Sequence, residues 1–193
     1  MEEQFIEEKT FERKDFSKNK LIKGEYELCT FLNCNLSNCD LSQIRFVDCE
    51  FHECHLSTAN IFQTGFQNVL FKGCKMLGLH FDKCSDFGFS IKVDNCQLNH
   101  SSFYKRKLST TLFKNSKLQQ VDFTECNLSS SVFDACDLQN AIFNNTDLQN
   151  ADFRNASNFT IDPENNKIAG AKFTLDTVVG LLTKYNIKIE PNL

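Results

Sequence analysis

The stretch Leu118-Gln119-Gln120-Val121-Asp122-Phe123-Thr124-Glu125-Cys126-Asn127-Leu128-Ser129-Ser130-Ser131-Val132-Phe133-Asp134-Ala135-Cys136-Asp137-Leu138 carries a large apolar residue at every fifth position. The spacing extends outward to Leu98, Phe103, Leu108 and Phe113 on one side and to Phe143, Leu148 and Phe153 on the other. An earlier run keeps the same period from Phe11 to Phe81, by way of Phe16, Leu21, Tyr26, Phe31, Leu36, Leu41, Phe46, Phe51, Leu56, Ile61, Phe66, Phe71 and Met76. With 41% hydrophobic residues, an unbroken run of that length has a chance probability on the order of one in a million. A period of five matches neither the helical period of about 3.6 nor the strand period of about 2. It marks an internal repeat, which has to be read before anything else.

A second position shares the period. The 10 cysteines all stand two residues before an apolar centre, at Cys29, Cys34, Cys39, Cys49, Cys54, Cys74, Cys84, Cys96, Cys126 and Cys136. The same slot elsewhere holds Ala59, Thr64, Val69, Ser101, Ser116, Ser131, Ala141, Thr146 and Ala151. The slot therefore selects small side chains, and free Cys packs as a small hydrophobe. This reading displaces a disulfide or metal framework. Two inward positions per pentapeptide leave three outward. A chain achieves this when each pentapeptide forms one side of a four-sided coil, so that residues twenty apart stack. From Phe103 to Phe153 Phe and Leu alternate without a miss, which puts like on like in four interior ladders. At an inter-strand spacing of ~4.8 Å, residues 11–156 predict about seven coils and a rod of ~35 Å.

At 193 residues the repeat argues for one quasi-linear unit, each repeat touching only its neighbours. The N-terminus is acidic and lacks the apolar core of a signal peptide, and no apolar run approaches the ~20 residues of a membrane span. A soluble, cytoplasmic chain with no membrane partner is expected. The net charge of -4 is unevenly placed. Lys105, Arg106, Lys107, Lys114 and Lys117 form a basic belt without an acid, and the following segment carries Asp122, Glu125, Asp134, Asp137, Asp147, Asp152, Asp162 and Glu164 against Arg154 alone. That asymmetry is either a solvated surface or a partner signal.

The register breaks in three places. Between Phe81 and Val93 it slips by two residues, across Asp86-Phe87-Gly88-Phe89-Ser90-Ile91. A bulged junction and a small contact loop both fit. After Phe153 the centres fall on Asn158 and Pro163, so the coil should loosen over 157–167 before Ile168 and Phe173 restore it. Beyond Phe173, Thr174 reads as a helix cap with Asp176 near the N-terminus. Leu175, Val178, Val179 and Leu182 follow at one-face helical spacing, widened by Leu181 and Tyr185, and Ile187 and Ile189 alternate like a strand. Two units are thus expected, 1–173 (shifted at 82–97) and 174–193. The terminal helix either caps the open coil end or pairs two copies about a two-fold axis. The width of its apolar face favours the homodimer.

Cys39-Asp40-Leu41-Ser42-Gln43 and Ala151-Asp152-Phe153-Arg154-Asn155 resemble the repeat of the pentapeptide repeat proteins. The resemblance implies an all-β fold, a right-handed quadrilateral β-helix. The tail, from Ile161-Asp162-Pro163 through Ile168-Ala169-Gly170-Ala171-Lys172-Phe173 to Gly180-Leu181-Leu182-Thr183-Lys184-Tyr185-Asn186-Ile187-Lys188-Ile189, is similar to the quinolone-resistance subgroup, as is Phe11-Glu12-Arg13-Lys14-Asp15-Phe16-Ser17. That similarity implies a head-to-head dimer through the terminal helix and a rod that imitates duplex DNA to protect type II topoisomerases such as DNA gyrase. The projecting loops of several members are missing from the two uninterrupted runs. Asp122, Glu125, Asp134, Asp137, Asp147 and Asp152 are the expected partner-binding acids, with no direct nucleic-acid contact. B-DNA carries a charge every ~1.7 Å of axis, far denser than these acids. A generic interaction scaffold is the alternative.

Catalytic chemistry finds no footing. His52-Glu53-Cys54-His55 looks like a metal cluster, but Cys54 occupies an inward slot and the two His stand around a corner, short of the converging ligands that zinc needs. His80 and His100 are isolated, and there is no Gly-rich phosphate loop or Ser/His/Asp arrangement. No enzyme activity, cofactor or metal is expected.

Overall fold

The computed structural model describes residues 4–190, so the expected unit limits at 1 and 193 lie outside the described residues. The chain winds a right-handed four-sided solenoid of parallel strands. On the first side, β1 (Gln4–Glu7), β3 (Gly24–Glu27), β5 (Arg45–Val47) and β7 (Gly65–Gln67) form a four-stranded sheet. The second side carries a seven-stranded sheet of β2 (Thr10–Glu12), β4 (Thr30–Leu32), β6 (Glu50–His52), β8 (Val69–Lys72), β9 (Ile91–Asp94), β10 (Leu112–Lys114) and β11 (Val132–Asp134). The other two sides are ladders of single bridges, such as Asp15–Asn35–His55–Lys75 on the third and Ser102–Asp122–Ile142 on the fourth. Phe31 pairs with Phe51 and Phe51 with Phe71, the expected step of one coil. The stack begins one side earlier than the run at Phe11, because Ile6 is in register with Tyr26.

The ladder inside the second side is continuous from Phe11 through Phe133. Phe113 and Phe133 stack at 5.2 Å and Phe133 and Phe153 at 4.8 Å. Phe123 meets Phe133 edge-on at 6.0 Å across the core. Such pairs add about 0.5–1.5 kcal/mol beyond their burial. All the cysteines are free and buried. Their slot does more than accept small groups. Its side chain donates to the carbonyl of the preceding apolar centre one coil earlier, as in Cys49 Sγ to Tyr26 O at 3.2 Å, Thr64 Oγ1 to Leu41 O at 2.8 Å and Ser131 Oγ to Leu108 O at 2.7 Å. Burial pushes the Cys49, Cys84, Cys126 and Cys136 thiols up to about 12, away from the thiolate that reacts.

The corners explain the outward composition. At most corners the residue two after the centre is left-handed, as at Asn33 (φ 53), Asn38 (φ 56), Asn140 (φ 58) and Asn150 (φ 58). Asn and Asp visit that region more readily than other side chains. Where the residue before a centre is Asp or Asn it commonly locks the turn by accepting the N–H two residues on, as Asp40 Oδ1 does from Ser42 at 3.1 Å and Asn127 Oδ1 from Ser129 at 3.0 Å. These Asx contacts are why the repeat prefers Asp or Asn there.

The two-residue slip is real: Val69 pairs with Ile91 and Phe71 with Val93. A 3₁₀ turn at Phe81–Lys83 leads into it. Its cause lies one coil away. Arg106 occupies a small-residue slot and is only 3% exposed, so it leaves the expected basic belt for the core. Its Nε donates to Phe81 O at 2.6 Å and its Nη2 to Cys84 O. A side chain of that length cannot fit beneath a regular side, and the inserted residues arch over it. Over 157–167 the ladder holds at Ser157 and resumes at Lys167. Phe159 and Ile161 fill the interior between, and Asn166 bridges Thr146 N and Phe143 O.

The expected terminal helix does not form. Val178–Leu181 and Thr183–Tyr185 are short 3₁₀ turns, and Ile187 and Ile189 form no strand and are exposed. Gly180 and the β-branched Val178 and Val179 weaken a helix already too short to stand alone. Docking then decides the shape. A Cβ at Gly180 would lie 2.6 Å from the Phe159 ring, and Gly180 O accepts the Ile161 N–H at 3.0 Å. Lys184 ties the segment down on Asp162 at 2.6 Å and Glu164 at 2.7 Å. The single apolar face of Leu175, Val178, Val179, Leu181, Leu182 and Tyr185 is therefore broken up. Leu175 is 90% exposed, while Leu181 packs on the core. A homodimer through a helix has no helix to use.

Candidate interaction surface

The six sequence-selected acids do not converge. Asp147 projects from the first side, Asp134 and Asp152 from the second, Asp137 from the third and Asp122 from the fourth, with Glu125 at the corner that follows. Several are engaged locally. Asp122 Oδ1 accepts the Thr124 N–H at 2.9 Å and Asp147 Oδ1 the Gln149 N–H at 3.1 Å. Asp134 accepts from Asn155 Nδ2 at 2.9 Å. Partial burial pulls the Asp137 carboxyl upward, but the amides of Asn158 and Gln119 outweigh it and hold the group below its ordinary value. Arg154, 2.7 Å away, does the same for Asp152. Glu125 meets Lys105 at 3.4 Å and the Tyr104 hydroxyl at 3.1 Å. Asp122, Asp134, Asp137 and Asp147 form no ion pair among the described residues.

A second acidic region escaped the linear reading. Glu7 on β1 stands in register with Glu27 on β3, and Asp48 and Glu50 follow around the edge between the first and second sides. Glu25 is held by Arg45 at 2.6 Å. Writing the sequence in rows of twenty brings these residues together, whereas reading it linearly leaves them scattered among Lys9, Arg13 and Lys23. Between the two acidic ends the rod is ringed with lysine: Lys72, Lys92 and Lys114 on the second side, Lys75 and Lys117 on the third, Lys105 at the corner from fourth to first and Lys107 on the first. The surface thus runs acidic, basic, acidic along the axis.

The metal-like cluster disperses as its register demands. Cys54 Sγ points inward to Phe31 O at 3.3 Å, His52 turns to Glu50 at 2.7 Å, and His55 stands on the next side. Among the described residues no three His, Cys, Asp or Glu side chains converge to hold a metal, and no helix is long and apolar enough to cross a membrane.

A family profile described as "Pentapeptide repeat region" matches residues 44–121 and 89–173. No curated protein matches the chain in sequence. Among solved structures, a trypsin-treated point variant of QnrB1, a plasmid-mediated fluoroquinolone resistance protein, aligns at 19% identity over 97% of this chain and 98% of that one, with a TM-score of 0.58. A second trypsin-treated point variant of the same protein aligns over the same spans at 18% identity and a TM-score of 0.55. HetL, a pentapeptide repeat protein of heterocyst differentiation from the cyanobacterium Nostoc sp. strain PCC 7120, aligns over 86% of this chain and 84% of that one at 12% identity and a TM-score of 0.44.

Proposed function

The chain belongs to the pentapeptide repeat family, and from that premise we propose that it is a non-enzymatic binding rod whose partner is a type II topoisomerase, DNA gyrase in particular. One observation carries the reading. The solenoid follows a fluoroquinolone-resistance protein from end to end, over 97% of its own length. A DNA-binding groove is basic and gains affinity from the charges it neutralises. A stiff rod with acidic ends can compete for such a groove. Asp122, Asp134, Asp137 and Asp147, which no described cation neutralises, are the carboxylates offered to it, and the edge from Glu7 to Glu50 supplies a second contact. Such a partner implies a cytoplasmic chain, and the outcome for the cell is tolerance of fluoroquinolones.

A supercoiling assay with purified gyrase tests this. The chain should restore supercoiling in the presence of a fluoroquinolone, or inhibit it without one. Unchanged activity under both conditions at micromolar protein rejects the topoisomerase. A different observation favours a second reading. The acids are spread over four sides and interrupted by a lysine ring, which suits a scaffold that presents separate patches to another protein. Retention of the chain's fold with no gyrase effect would select it.

A further inference from the structure

The arch over Arg106 leaves a cleft of ≈ 360 Å³ lined by Asp86, Gly88, Phe89, Lys105, Arg106 and Lys107. Arg106 reaches it from inside. Its Nε and Nη2 are committed inward to Phe81 O and Cys84 O, and the Phe89 ring lies 4.7 Å from its Cζ. Nη1 donates to Ser85 O at 3.4 Å and to Asp86 Oδ1. The two ends of that last pair differ sharply: the Arg106 side chain is 3% exposed and that of Asp86 98%. A buried cation is thus answered at the surface by a carboxylate that no other side chain among the described residues holds in place.

We propose that this cleft is a docking site for a side-chain carboxylate from an acidic segment of a protein partner, which takes the place of Asp86 on Arg106 Nη1. Three features select that ligand. The incumbent is itself a carboxylate. The guanidinium fork is spent on backbone carbonyls, so the bidentate grip that favours phosphate is not on offer, whereas a single acceptor oxygen suits Nη1. Lys107, without an ion pair among the described residues, and Lys105 flank the opening and attract further acids of the same segment. Phe87, 74% exposed beside Gly88 (φ 64), supplies an apolar contact next to the charge. The site is independent of the topoisomerase reading, since it asks for an acidic partner surface rather than a basic groove.

Titration of the isotope-labelled full-length chain with a hexaglutamate peptide, followed by amide NMR, tests the site. Shifts should concentrate at residues 85–89 and 105–107. Asp86→Asn removes the competing carboxylate and should tighten binding about fivefold. Lys107→Glu should weaken it about tenfold by like-charge repulsion. Both positions lie at the surface, and matching thermal melts establish that the variants stay folded. Shifts spread evenly over all surface lysines, an unchanged affinity in Asp86→Asn, or tighter binding of inorganic phosphate than of the peptide at these amides would each overturn the proposal.

Discussion

At the residue scale the fold is a set of position-specific demands, and some positions meet them poorly. Leu28 sits left-handed at a corner (φ 52) with an exposed side chain, where an ordinary L-residue costs about 1–2 kcal/mol. In the neighbouring coils the same corner holds Asp48 and Asn68, joined through Asn68 Nδ2. Leu28→Asn should therefore raise stability by about 1 kcal/mol, read as a higher denaturant midpoint. The thiol slot makes a second prediction. Ellman's reagent should leave the native chain essentially unreacted and titrate all 10 cysteines in denaturant. Rapid reaction of several thiols in the native state would contradict the packing role. The cysteine slot was legible because every Cys obeyed one register. Arg106 was not, because it occupies that same slot and a linear reading sees only a basic residue between two lysines.

At the element scale each coil leans on two neighbours, so the cost of a defect depends on where it falls. Phe133→Ala, between Phe113 and Phe153, should cost about 3–5 kcal/mol. Phe11→Ala in the first described coils, where the ring is only half-buried, should cost clearly less by the same denaturant measurement. Arg106 and the arch form one unit. Arg106→Ser strands the carbonyls of Phe81 and Cys84 under an arch with nothing beneath it, for an expected loss of about 3 kcal/mol. Deleting Phe87 and Gly88 as well restores the regular step and lets Ser donate to Phe81 O, as Ser131 does to Leu108 O. Most of the loss should return. The terminal segment shows the limit of pattern reading. Apolar spacing alone called for a helix over 174–185. The contact that decides its shape, Gly180 against Phe159, depends on a neighbour that the period had marked only as a gap.

At the scale of the molecule the rod was legible and its surface was not. Inward positions repeat and declare themselves, whereas outward ones obey the corner first and any partner second. Asp122, Asp137, Asp147 and Asp152 stand where the turn wants an Asx acceptor, so their presence alone is no sign of recognition. The same contacts set the pH dependence. The Ser42 hydroxyl and Lys23 bring Asp40 down to about 2, and Arg154 lowers Asp152, against about 3.9 in an unfolded chain. Their contribution is complete above pH ~4 and is lost as pH falls through the folded values. The denaturant midpoint should be level from about pH 5 to 8 and fall between about pH 4 and 2; a midpoint unchanged down to pH 2 would contradict these hydrogen-bond assignments.

Whether the acidic ends act as a stand-in for DNA is decided by competition. With a fluorescent chain bound to gyrase, added linear duplex should displace it, and the affinity should fall steadily as salt rises. Asp134→Asn and Asp147→Asn, which keep the side-chain acceptor oxygens, should weaken binding without changing the melt. A ternary complex in which gyrase holds duplex and chain at once, at an affinity indifferent to salt, would contradict the account.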